Sequence, residues 1–344
     1  MNRKFLLIQL VLIIVMLVSS PNLSAQLKPL ITSIAWSPDG SLIAIGRGLY
    51  TSDEHDYSIQ LLDASTLAVI NHLDFHKGAV SSLDWSPNGK FLLSSGGEGS
   101  EGLGIIWDIT DKNIAMLSSP YSMPGRYADL WHPSGDLVAN ISEGNPAVNL
   151  WNPENGDTEQ SFTLKDPLGS PRTIDWNSDG TRLVTGSTKG YIVIWNISTG
   201  EQISVVNLHS NEINSLDWSE DDQFIASGSS DDTIRILNAS IGTSIMTLSG
   251  HTDDVTSVAW NSDSKRLASA DLEGTVRVWD TSSGTQLDIF TSSGPVYALN
   301  WNPDGTKLAY GGEGSEMITV VEPSSSVASD IKSLILRLFI QLFN

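Results

Sequence analysis

SIAWSPDG (33–40), SLDWSPNG (82–89), TIDWNSDG (173–180) and ALNWNPDG (298–305) are four copies of one phrase. Three weaker copies fill the gaps between them: DLWHPSG (129–135), SLDWSEDD (215–222) and SVAWNSDS (257–264). Each copy is anchored on a tryptophan. The anchors Trp36, Trp85, Trp131, Trp176, Trp218, Trp260 and Trp301 are spaced by 49, 46, 45, 42, 42 and 41 residues. A period in this range marks an array of structural repeats, each too small to bury its apolar face alone.

Each copy reads as a short antiparallel sheet. Apolar alternation of period two leads into the Trp, the mark of a half-buried strand. The Pro-Asp-Gly or Asp-Gly step after it supplies a hairpin turn. A second strand follows, as in QFIASG (223–228) or KRLASA (265–270), then a third, as in TIRILN (233–238) or TVRVWD (275–280). A fourth, less regular, is TSIMTL (243–248). The other four tryptophans, Trp107, Trp151, Trp195 and Trp279, close the third strand, and Leu62, Leu237 and Val321 take that slot in the remaining repeats. Every Trp therefore occupies one of two repeat positions, which points to packing between sheets rather than to ligand stacking.

With its period, its SPDG-like turns, Trp107-Asp108, Trp279-Asp280 and the Gly250-His251 step, the chain resembles the WD40 repeat proteins over about residues 31–322. Periplasmic TolB-like propellers, which carry similar turns, are the next resemblance. The WD40 resemblance implies an all-β, seven-bladed β-propeller with four antiparallel strands per blade. It also implies a blade-stabilising network of His, Ser or Thr, Asp and the third-strand Trp. His251, Ser269 and Trp279 fit that network, with Glu273 where Asp is expected. His209 and Trp195 straddle two blades, and Asp231 falls in a blade whose Trp is replaced by Leu237. The expectation is that no blade carries the full set, and that His76 and His209 are buried structural donors.

The two ends read differently from the repeats. Arg3 and Lys4, the apolar run 5–18, Pro21 and Ala25 make a secretory signal peptide over residues 1–25, with the mature chain beginning at Gln26. A run of 14 residues is short for a membrane span, so an uncleaved anchor over 5–18 is the alternative. The propeller then occupies 26–330. Residues 331–344 form an apolar C-terminal segment. It reads either as a strand closing the last blade or as an amphipathic helix with Ile331, Leu334, Ile335, Leu338 and Phe339 on one face. The expected location is exported, with membrane contact only through one of these ends.

Composition narrows the function. The formal net charge of −21 over 344 residues disfavours binding to phosphate backbones, so no nucleic-acid partner is expected. The absence of cysteine excludes disulfides, thiolate metal sites and thiol nucleophiles. No H-E-x-x-H, G-x-S-x-G or G-x-x-x-x-G-K-[ST] motif occurs. The dinucleotide-like GEGSEG (97–102) leads into a strand instead of a helix and carries two carboxylates, so it is a false match. No cofactor, no catalytic residue and no resident metal is expected.

One constellation rises above this background. Three inter-strand loops are long: 47–58, 96–104 and 311–317. In a closed ring their blades (one, two and seven) are consecutive, which clusters Asp53, Glu54, Asp56, Glu98, Glu101, Glu313 and Glu316 on one sector of the rim. Long Gly-rich loops often carry function. The expected activity is that of a non-enzymatic scaffold binding protein or peptide partners on its rim loops. A basic partner or a weakly held divalent cation would suit the acidic sector. The alternatives are a hydrolase or lyase site in the rim loops, or a cation-dependent adhesion or sensor module.

Overall fold

The computed structural model describes residues 30–48, 56–97, 102–110, 115–118, 122–123, 128–141, 145–314 and 318–323. Among them there are strands, turns and no helix. The strands form seven antiparallel sheets that follow one another along the chain at 30–73, 80–123, 129–163, 171–207, 213–249, 255–291 and 296–321. In each sheet sequence-neighbouring strands are spatial neighbours, except at the split outer edge of blade two. This is the seven-bladed propeller predicted from the tryptophan period, with four antiparallel strands in each of blades one and three to six. In blade two, Ala115–Ser118 and Ser122–Met123 share the edge of the third strand, so its outer strand is split in two. In blade seven the described residues supply three strands, and the closing strand or helix predicted for 331–340 lies outside the described residues.

Turn chemistry explains why the repeated phrase forms the hairpin between first and second strands. Gly40, Gly89, Gly180 and Gly305 all sit in the left-handed region, with φ of 70°, 69°, 71° and 69°. Blades five and six lack the glycine, and there Asp222 (φ 58°) and Ser264 (φ 54°) take the same conformation. Short polar side chains tolerate it because they bond locally. The turns are further held from within: Asp39 Oδ1 accepts from Ser37 Oγ at 2.6 Å and from Ser41 N at 3.0 Å. Those donors hold the Asp39 carboxyl below its usual range.

The apolar core is a set of seven seams between sheets. A typical seam joins Leu61 and Leu73 of blade one to Leu83, Trp85, Leu92 and Trp107 of blade two. The Trp ending each first strand is buried against the preceding blade, as packing between sheets requires. In the third-strand slot Leu62 and Leu237 are buried as the tryptophans are, and Val321 is half-buried. The ring closes by one more seam of this kind. Ile31, Ile34, Trp36 and Ile43 of blade one pack on Ala298 and Ala309 of blade seven. Trp36 Nε1 donates to Asn300 O across it at 3.2 Å, and Leu30 bridges Glu313.

The first strand of every blade lines a central channel. In six blades it carries a one-residue register shift near its start, between Ile31 and Ser33, Val80 and Ser82, Pro171 and Thr173, Ile213 and Ser215, Val255 and Ser257, and Val296 and Ala298. Such a bulge re-aims the extra side chain and sharpens the local twist. The residues so displaced are Thr32, Ser81, Arg172, Asn214, Thr256 and Tyr297.

Candidate functional site: the two ends of the channel and the blade network

The displaced bulge residues line a cavity of about 590 Å³ at the mouth of the channel, where the first strands begin. Several of them also sew neighbouring blades together. Thr32 Oγ1 donates to Val80 O of blade two at 2.5 Å, Asn214 Nδ2 to Val255 O of blade six at 3.0 Å, and Thr256 Oγ1 to Val296 O of blade seven at 2.6 Å. Arg172 of blade four donates from Nε to Asn214 Oδ1 at 3.0 Å and pairs with Glu212 at 3.2 Å, both on blade five. The lining is rich in hydroxyls and amides, with one guanidinium, one carboxylate and the Tyr297 ring. A surface of this make-up offers both donors and acceptors to a peptide, and no His, Lys or Cys lines it. Sequence reasoning missed these residues, because a bulge shows only once strand partners are known.

Of the predicted acidic sector, Asp56 and Glu313 fall among the described residues; Asp53, Glu54, Glu98, Glu101 and Glu316 lie outside them. Asp56 is engaged within its own blade: its Oδ1 accepts from Ser58 N at 3.0 Å, and its Oδ2 lies 3.5 Å from Arg47. Glu313 N donates to Pro295 O, next to the ring-closing bridge. A different acidic group is compact among the described residues. Oxygens of Asp232, Asp253 and Asp254 lie within 4.8 Å of one another at the seam of blades five and six. Ser230 Oγ donates to Asp254 Oδ2 at 2.8 Å, which ties the group to blade five.

The blade network differs from the expectation in one respect. Blade six carries the full set. His251 Nδ1 lies 2.6 Å from Asp271 Oδ2 and its Nε2 lies 2.7 Å from Ser269 Oγ, which accepts from Trp279 Nε1 at 2.8 Å. The acid is Asp271, the last residue of the second strand, and not Glu273, which accepts instead from Thr252 Oγ1 at 2.7 Å. The expectation that no blade is complete is thus corrected. Positions two apart at a strand end project the same way, so the acid reaches the imidazole from either of them. Blade five uses the turn position: His209 Nδ1 lies 3.0 Å from both oxygens of Asp231 and its Nε2 2.8 Å from Ser227 Oγ, with Leu237 where the Trp would donate. Blade two lacks the acid. Ser94 Oγ bonds both His76 Nε2 and Trp107 Nε1 at 2.8 Å, and His76 Nδ1 faces the Gly96 backbone where blades five and six offer it an acid. In blade four Trp195 Nε1 donates to Thr185 Oγ1 at 3.0 Å.

Ser269–His251–Asp271 and Ser227–His209–Asp231 have the composition and spacing of nucleophilic triads. Their burial argues against that chemistry. Ser227 and Ser269 have no exposed surface, and in blade six the hydroxyl oxygen is already held by an indole N–H. A nucleophile must reach a substrate carbonyl at about 3 Å, and here the seam is closed over it. Burial lowers the proton affinity of all three imidazoles, to about 4 for His76, and Asp231 and Asp271 partly oppose that in His209 and His251. The three rings are therefore neutral at pH 7 and act as relays of hydrogen bonds.

At the opposite end, where the first strands run into the turns, a second cavity of about 330 Å³ spans blades two to five. Asp84, Asp175 and Asp217, each next to its blade's Trp, line it. Burial is the main cause that lifts the proton affinity of Asp84 and Asp175 to about 7 and of Asp217 well above the usual range. Asp129 is lifted to about 7 by the same cause and accepts from Asn140 Nδ2. It occupies a position filled by Ile34, Leu83, Ile174, Leu216, Val258 and Leu299 in the other blades. The phrase shows an acid before the Trp in blades two, four and five, but not that these acids face one cavity.

Comparison with known proteins agrees with this architecture. The WD domain, G-beta repeat, matches at residues 19–61, 67–108 and 242–280. The first β-propeller of WDR19 matches at 107–255. The coronin-like protein crn1 of Schizosaccharomyces pombe is 29% identical over 156 residues, which is 42% of this chain and 25% of that protein. The F-box-like/WD repeat-containing protein TBL1X of Homo sapiens is 26% identical over 189 residues, 53% of this chain and 31% of that protein. The matches thus span about a quarter to a third of these relatives' length. Seven consecutive sheets, the SPDG-type turns, the complete His–Asp–Ser–Trp network of blade six and these matches together make the chain a WD40 repeat protein with a seven-bladed β-propeller.

Proposed function

We propose that this chain is an exported, non-enzymatic scaffold that binds protein or peptide partners at the channel mouth and on the adjoining rim loops. The observation that carries the reading is the contrast between the two kinds of polar group. The hydroxyl–imidazole–carboxylate sets are sealed in the seams, whereas the bulge residues of six blades open onto a 590 Å³ cavity. Cavities of this size with scattered donors and acceptors suit recognition. Fold alone decides nothing here, because propellers host many activities. The acid-rich stretches of sequence at 47–58, 96–104 and 311–317 suit a basic partner, and the signal-like residues 1–25 give the export half of the reading. No helix among the described residues is long and apolar enough to cross a membrane.

The test is affinity capture by the full chain from an extracytoplasmic fraction, comparing wild type with Arg172→Glu and with Ile241→Ser on the outer rim. We expect a defined partner set that Arg172→Glu loses and Ile241→Ser keeps, with both variants folded by near-UV circular dichroism. Capture insensitive to Arg172→Glu overturns the placement at the mouth, and turnover of a small substrate by the purified chain overturns the non-enzymatic reading.

A further inference from the structure

We infer that the cavity at the Trp ends of the first strands of blades two to five is a receptor for an arginine side chain carried by a partner peptide. It extends the scaffold reading to a second surface and rests on that reading only for the carrier being a protein.

Asp84, Asp175, Asp217 and Glu220 bring four carboxylates to this 330 Å³ cavity, and no Lys, Arg or His lines it. Three of the carboxylates are held in place from the next blade. Asp84 Oδ2 accepts from Trp131 N at 2.7 Å, Asp175 Oδ2 from Trp218 N at 2.5 Å, and Asp217 Oδ2 from Trp260 N. Each retains lone pairs beyond that bond. The proton affinity of Asp175 and Asp217 is raised chiefly through their burial, and the charge of Asp175 adds to that of Asp217. The charged groups facing this pair are Asp84 and Glu220, both acidic. Blade three presents Leu130, Trp131 and Pro133, and blade six a backbone N–H. Nothing in the cavity wall supplies the counter-charge.

A second observation is independent of the acids. In four blades the first-strand indole donates to a carbonyl of the preceding blade: Trp36 to Asn300 O at 3.2 Å, Trp85 to Ala35 O at 3.2 Å, Trp260 to Asp217 O at 3.1 Å, and Trp301 to Ala259 O at 3.1 Å. The indole N–H groups of Trp131, Trp176 and Trp218 have no partner, although all three side chains are more than nine-tenths buried. The same three tryptophans line this cavity. An orphaned buried N–H calls for an acceptor.

A peptide arginine answers both demands. Its guanidinium offers five donors in a planar fork that bridges neighbouring carboxylates and lies against aromatic rings. Its backbone carbonyl offers the acceptor an indole lacks. Lysine, a point charge, matches a pair of carboxylates less well. Burial raises the proton affinity of these acids, so arginine competes with protons for them. Binding therefore strengthens as pH rises through about 7.

The probe is N-acetyl-arginine-N-methylamide, with the citrulline counterpart as its neutral match, titrated calorimetrically into the full chain between about pH 5.5 and pH 8.5. We expect saturable binding of the arginine probe, about tenfold tighter at the upper pH and about tenfold tighter than the citrulline probe there. Asp84→Asn and Asp217→Asn should each weaken it by a similar factor, whereas Ile241→Ser should not. Should Asp217→Asn fail to fold, Asp84→Asn carries the comparison, since it touches only the seam of blades two and three. No binding of the arginine probe, equal binding of the two probes, a flat pH dependence, or unchanged binding by the folded variants overturns the inference. Any of these alongside partner capture that depends on Arg172 leaves the scaffold reading standing.

Discussion

Replacing Ser269 by alanine in blade six tests how much of the propeller's stability comes from its hydrogen-bonded seams. Ser269 Oγ is the hub of the network, accepting from Trp279 Nε1 at 2.8 Å and meeting His251 Nε2 at 2.7 Å. The methyl group of alanine leaves two polar groups orphaned in a seam that water does not enter. Each buried orphan costs about 1–3 kcal/mol, so the loss should be about 2–6 kcal/mol. Blade five supplies the internal comparison. There Ser227 Oγ meets His209 Nε2 at 2.8 Å, but Leu237 stands where Trp would donate. Ser227→Ala orphans the imidazole and drops a long 3.4 Å bond to Arg235 O, and should cost about half as much. Urea denaturation followed by near-UV circular dichroism reads both. A double-mutant cycle with Trp279→Phe isolates the indole's share, because Phe removes the N–H that Ser269 accepts. Losses below about 1 kcal/mol for Ser269→Ala, or equal losses for the two serines, would refute the claim that these networks matter beyond packing.

Four further outcomes are expected. Asp271→Asn should destabilise the ring by about 2 kcal/mol and Glu273→Gln by less than about 0.5, since only Asp271 holds His251; thermal melts rank the two. Trp260→Ala should cost about 3–5 kcal/mol, the range for large aromatic truncations in a core, read by denaturation. Asp175, lifted to about 7 in the folded ring against about 4 unfolded, contributes stability that is full below about pH 4 and lost as pH rises through about 7. Asp175→Asn should therefore gain on wild type by about 2–3 kcal/mol between pH 5 and pH 8 in paired denaturation curves. Protein recovered from outside the cytoplasm should begin at or near Gln26 by intact mass, and Met1 on exported protein would instead indicate an anchor.

The blade count, the strand order and the burial of the tryptophans were legible in the sequence because each depends on local chemistry. The Trp recurs at a fixed period, and turns such as SPDG need a residue that accepts a left-handed backbone, met by glycine or, in blades five and six, by Asp222 and Ser264. What was not legible depends on pairing across blades. The bulges that aim Thr32, Arg172 and Asn214 into the channel are slips of one residue between partners 16 and then 13 positions apart, and nothing in the strand's own composition announces them. The sequence points to Glu273, the turn position that Asp231 fills in blade five, whereas in blade six the strand-end Asp271 two residues earlier reaches the imidazole. The acids before Trp85, Trp176 and Trp218 fall on period-two strands whose pattern alone points to no shared cavity. That Asp84 reaches Trp131 and Asp175 reaches Trp218 follows from the packing of consecutive blades, 43 to 47 residues apart.

The central claim is that partners engage the channel mouth built by the bulge residues. Site-specific photo-crosslinking measures this most directly, with a benzophenone amino acid placed at Tyr297 in the mouth and, separately, at Ile241, which is 63% exposed on the outer rim. The account predicts discrete protein adducts from position 297 that Arg172→Glu abolishes, and none of the same adducts from position 241. Adducts that form from position 241 and not from 297, or that survive Arg172→Glu unchanged, would contradict it.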